Sequence, residues 1–87
     1  MRTLVIYKDE SEHARPVIDF LREFKVRTGK EPETVDPESR EGIMFCETYD
    51  IVEYPTIIAL DDEGRMLNQW TGLPLPTINE ISYYNQP

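Results

Sequence analysis

A proline stands directly before a β-branched apolar run in Tyr54-Pro55-Thr56-Ile57-Ile58-Ala59-Leu60. Proline fixes its own φ and lacks an N–H, so in a sheet it belongs at the first residue of a strand or at an edge. The chain must therefore bend at Tyr49–Thr56 and enter a strand whose start is set by covalent geometry. The other elements arrange themselves around that point.

Thr3–Tyr7 is a second β-rich apolar run without alternation, which suits a strand buried on both faces. Behind it, Ala14, Val17, Ile18, Leu21 and Phe24 follow the spacing of an amphipathic helix ending near Thr28-Gly29. Ser11 is the expected N-cap, with acids in the first turn. Pro16 then implies either a start nearer His13 or a slight kink. Glu33–Asp36 reads as a short strand between Pro32 and Pro37. Glu38–Thr48 reads as a shorter helix, weakened by Gly42, with Phe45 and Tyr49 four residues apart on one face.

Thr56–Leu60 is the third strand. Asp61-Asp62-Glu63-Gly64 is a tight turn into a fourth strand, Arg65–Thr71, which carries Met66, Leu67 and Trp70. Leu73-Pro74-Leu75-Pro76 is a rigid connector, and Pro76 or Thr77 opens a last helix through Ile78, Ile81 and Tyr84. The order is βαβαββα. A helix between the first two strands makes them parallel and the final hairpin makes the sheet mixed, so an α/β fold with helices on both faces of four strands follows.

With 87 residues, one domain spanning 1–87 is expected. Seventeen acidic against nine basic residues leave a net charge of −8, which disfavours nucleic acid and anionic membrane as partners. Apolar runs fall short of the ~20 residues of a membrane span, and no signal-like h-region opens the chain, so a cytoplasmic location is expected. One cysteine and one histidine, Cys46 and His13, exclude an internal disulfide and argue against a metal site. No cofactor is implied.

The element order and the passage Tyr49-Asp50-Ile51-Val52-Glu53-Tyr54-Pro55-Thr56, followed by Asp62-Glu63-Gly64 and Gly72, resemble the thioredoxin superfamily over essentially the whole chain. The resemblance implies a cis peptide at Tyr54–Pro55 facing the family's active site. It also implies that the backbone of the residue before this proline can pair with an extended peptide. The family places Cys-x-x-Cys at the first helix start, where the helix dipole favours a thiolate. Here the segment reads Lys8-Asp9-Glu10-Ser11-Glu12-His13-Ala14-Arg15, with Ser11 and Ala14 at the thiol positions to within a residue of register. Neither is a thiol, so dithiol oxidoreductase activity is not expected. The paired glycines of glutaredoxins are missing too, and Asp9-Glu10-Ser11-Glu12 would repel the carboxylates of glutathione.

The resulting expectation is a redox-inactive protein- or peptide-binding module. Tyr54, Pro55 and Thr56 would form one wall and Ser11, Glu12 and His13 the other, with Trp70 a further candidate contact. The alternative is a single-cysteine thiol oxidoreductase or redox sensor using Cys46, although the adjacent Glu47 disfavours a thiolate. Ser11, Glu12 and His13 cannot form a triad, because successive helical residues point about 100° apart. His13 is expected to face solvent and the Asp61–Glu63 acids to be solvated. Tyr83 and Tyr84 are candidate contacts beside Tyr54 and Trp70. A monomer or weak homodimer is expected.

Overall fold

The computed structural model describes residues 1–85. In chain order it places β1 (Arg2–Ile6), α1 (Ala14–Thr28), β2 (Glu33–Val35), α2 (Arg40–Tyr49), β3 (Thr56–Leu60), β4 (Met66–Thr71) and α3 (Ile78–Tyr84). The strands form one sheet ordered β2-β1-β3-β4. β1 runs parallel to β2 and antiparallel to β3, and β3 is antiparallel to β4. This is the expected βαβαββα arrangement.

Period-two alternation in the central strands builds two apolar layers from one sheet. Leu4, Ile6, Ile58 and Leu60 point to one face and meet Cys46 and Ile51 of α2 and its exit. Val5 and Ile57 point to the other and meet Val17 and Phe24 of α1 with Ile78 and Ile81 of α3. β3 is buried at all five positions because strands flank it and helices cover it on both faces. The edge strand β4 is mostly exposed, and the register shift at Ala59/Leu60 leaves Leu67 as a bulged extra residue.

Of the starts that Pro16 leaves open for α1, the later one near His13 is the one adopted, and Ser11 is not the cap. The N-cap residue is His13, without a side-chain capping bond, and the helix begins at Ala14. The Ser11 hydroxyl instead donates to the Lys8 carbonyl at 2.6 Å. Pro16 thus falls in the first turn, where an N–H has no intrahelical partner, so no ladder bond is lost there. Ile18 is 40% exposed. It sits on the rim of a face centred on Val17, Phe20, Leu21 and Phe24.

Both shorter helices carry side-chain caps. The Ser39 oxygen accepts from the Gly42 N–H, and the Thr77 oxygen from the Glu80 N–H. At the β3–β4 turn, Gly64 takes φ 84°, and Asp61 Oδ1 accepts the N–H groups of Glu63 and Arg65, each at 2.9 Å. The Arg65 guanidinium adds a bond at 3.0 Å. Hydrogen bonds from the Arg65 and Glu63 backbone, with the Arg65 charge, hold the Asp61 carboxyl below its usual range.

A group whose folded pKa is depressed stabilises the fold above its unfolded value and loses that contribution as pH falls. The Glu63 and Arg65 amide signals should therefore titrate together on acidification, with a midpoint below the ordinary aspartate value of ~3.9. A midpoint at or above it would contradict this account of the turn.

Candidate functional site

The site is built where α2 hands the chain to β3. α2 ends with Asp50 at φ 55° in the left-handed region. The Ile51 N–H returns to the Cys46 carbonyl at 2.8 Å, and the Asp50 N–H reaches the Glu47 carbonyl at 3.4 Å. This is a Schellman closure, and its usual apolar contact is made by Ile51 against Cys46 in the core. With Ile51 buried, its neighbour Val52 is turned outward and is 78% exposed.

The chain then crosses to β3 through a Tyr54–Pro55 peptide that is cis. The Thr56 hydroxyl donates to the Glu53 carbonyl at 2.6 Å, and the Pro55 carbonyl accepts the Gly72 N–H at 2.8 Å. Among the described residues, the Tyr54 N–H and C=O enter no hydrogen bond. Tyr54 is half-buried and stands two residues before a strand paired along its whole length with β1.

The opposite wall is the loop between β1 and α1. It is tied to itself: the Lys8 N–H donates to His13 Nε2 at 3.0 Å, beside the Ser11 bond to the Lys8 carbonyl. The expectation of a solvent-facing His13 is thereby corrected. The ring is half-buried because it takes up a backbone donor of the loop. Glu12 remains exposed. The two walls meet through Lys8, whose ammonium lies 5.2 Å from the centroid of the Tyr54 ring. Lys8 was not singled out in the sequence, where nothing marks a lone lysine as an aromatic partner.

Tyr54 also faces α2. Burial, then the neighbouring Cys46 thiol and the Glu38 carboxylate, push its phenol above its usual pKa. Cys46 is 7% exposed. It lies in the floor of a depression of ≈ 290 Å³ also lined by Pro37, Ile43, Glu47, Ile51, Val52 and Tyr54. Ile43, 48% exposed, and Val52 were not flagged as surface residues. In the pair Ile51-Val52 only one side chain can turn inward, and that was the available signal.

Trp70 is not brought to this site. It pairs across the sheet with Ile57, packs in the α1/α3 layer and meets the Tyr84 ring edge-on at 5.4 Å. Tyr83 stacks edge-on against Tyr84. Phe45 and Tyr49 do share a face, with ring centroids 4.8 Å apart, and the Tyr49 hydroxyl donates to the Gly64 carbonyl. Among the described residues no cluster of His, Cys, Asp and Glu is placed to hold a metal ion, and no helix is long and apolar enough to cross a membrane.

No protein-family model matches the chain, and no curated protein does. Among solved structures it is similar to thioredoxin 1 from the thermophilic eubacterium Thermosipho africanus TCF52B, with a TM-score of 0.66 at 15% identity. The match covers 97% of this chain and 89% of that one. The fold is thioredoxin-like.

At that identity the likeness carries the fold alone. In the thioredoxin-like frame the start of α1 is occupied by His13 and Ala14, and the chain's one thiol, Cys46, lies in α2. The Tyr54–Pro55 passage and the β1–α1 loop stand against each other at one end of the sheet, joined by the Lys8–Tyr54 contact.

Proposed function

We propose that this chain is a recognition module that binds an extended peptide along the backbone of Tyr54. The observation carrying this reading is the Tyr54 N–H and C=O, unpaired among the described residues beside the start of β3. An extended peptide laid there would accept from one group and donate to the other. Each such bond contributes about 0.5–1.5 kcal/mol net, and neighbouring side chains would supply selectivity. The depression at Val52, Ile43 and Cys46 opens beside that backbone. Its ≈ 290 Å³ falls just below the ~300–1,000 Å³ of small-molecule sites, which suits one or two side chains of a bound chain.

The single-thiol alternative finds less support. Cys46 is 7% exposed and packed in the core with Ile51, whereas a reacting thiol needs access.

Titrating a mixed digest of an unfolded protein into the isotope-labelled chain tests the reading. Amide signals of Val52, Glu53, Tyr54 and Thr56 and of the Lys8–His13 loop should move first. Shifts confined to β4 and α3, with Tyr54 unmoved, would sink it.

A further inference from the structure

The charges of the molecule are unevenly satisfied. Arg2 pairs with Glu33, Arg15 and Arg22 with Asp19, Lys25 with Glu31, and Arg65 with Asp61 and Glu63. None of these pairs lies around α2. From residue 36 to 54 the chain carries Asp36, Glu38, Glu41, Glu47, Asp50 and Glu53 against Arg40 alone. Among the described residues, none of those six carboxylates makes an ion pair.

The same segment holds the apolar depression. Glu47 and Asp50 line it directly beside Ile43, Val52 and Tyr54. Glu38 is close enough to act on the Tyr54 phenol, and Glu53 stands between Val52 and Tyr54. The facing loop adds Asp9, Glu10 and Glu12, all exposed. Lys8 of the same loop is turned onto the Tyr54 ring. An apolar floor is therefore ringed by carboxylates that make no ion pair among the described residues, in a chain of net charge −8.

We infer that the partner is a basic, apolar peptide: an extended segment seating an aliphatic side chain in the depression, with Lys or Arg beside it against Glu47, Asp50 and Glu53. The inference rests on the peptide-binding reading above and adds to it the chemical class of the ligand. Rim carboxylates accelerate the encounter with a cationic segment, and they exclude acidic ones more strongly than they tighten the right one. Binding of this kind weakens as salt shortens the reach of exposed charges.

Panning a random linear heptapeptide display library on the immobilised full chain at low ionic strength tests it. The recovered sequences should be enriched in Lys or Arg next to Leu, Ile, Val or Met. A synthetic copy of one such peptide should shift the Val52 and Tyr54 amides. Glu47→Gln combined with Asp50→Asn should weaken that peptide about three- to tenfold, and asparagine tolerates the left-handed backbone at position 50. Glu23→Gln, on the far side of the sheet in α1, should leave its affinity unchanged.

Peptides that bind at Tyr54 without basic enrichment, or that the double variant binds as well, overturn this inference and leave the peptide-binding reading standing. A library yielding no peptide that shifts the Tyr54 amide overturns both.

Discussion

Replacing Phe24 with alanine is expected to lower the unfolding free energy by about 3–5 kcal/mol, read by urea denaturation. Phe24 is fully buried and is among the largest side chains inside the molecule. It fills the layer between α1 and the sheet, against Val5, Ile57 and Ile81, with the Phe20 ring centroid 6.0 Å away. Helices cannot close over the gap, because β1 and β3 are held in register with each other and with both neighbouring strands. A domain of this size has on the order of 5–10 kcal/mol in all, so the variant should sit near its unfolding midpoint at moderate temperature. A loss under about 1 kcal/mol would mean that this layer is loosely packed. Val26→Ala, two residues on at a position 76% exposed, should change stability by less than about 0.5 kcal/mol.

Gly42→Ala should destabilise the fold by about 2–3 kcal/mol, against what helix propensity alone would give. In an exposed helix interior the change stabilises by about 1 kcal/mol. Gly42 is buried in the first turn of α2, and a Cβ there would run into the Asp36 carbonyl oxygen. It would also lie 2.7 Å from the Asp36 carbonyl carbon and 2.9 Å from the capping Ser39 oxygen. The Asp36 carbonyl already accepts the Ser39 N–H and hydroxyl. Moving it would therefore dismantle the cap that starts α2. Thermal denaturation beside Gly29→Ala separates the two effects, since a Cβ at Gly29 meets nothing within 4 Å and there only the left-handed φ of 73° opposes it. A rise in Tm for Gly42→Ala would refute the close approach.

Gly42 also marks the limit of the sequence reading. As a helical residue it looks like a weakness in α2, and only the path of residues 36–39 across the helix start shows why a side chain is excluded. Ser11 failed for a related reason. Serine three residues before an apolar run is a good cap in a peptide. Here the Lys8 carbonyl takes its hydroxyl, and the loop closes on His13 before the helix begins. Both turn on contacts between segments and not on the character of a segment itself.

The apolar pattern was sounder. Thr56–Leu60 has the predicted limits, and β1, β2, α2 and β4 shift by one or two residues at their ends. Continuous apolar runs without alternation in the two central strands were enough to imply cover on both faces. The Tyr54–Pro55 passage and the β1–α1 loop are legible as segments in the sequence, whereas their contact through Lys8 is not. Trp70 is a candidate contact because aromatics are enriched in interface hot spots, but its ring packs in the α1/α3 layer.

Sequence by itself determined the element order, the two-sided sheet, the strong acidity and the lack of a second thiol. Those follow from covalent character and local periodicity, which need no knowledge of distant neighbours. Tertiary structure alone decided that Val52 faces outward while Ile51 does not, that Lys8 lies over Tyr54, and that Cys46 joins a depression ringed by unpaired carboxylates. Each depends on where α2 ends relative to β3 and the β1–α1 loop. That placement is set by packing energy summed over residues far apart in the chain.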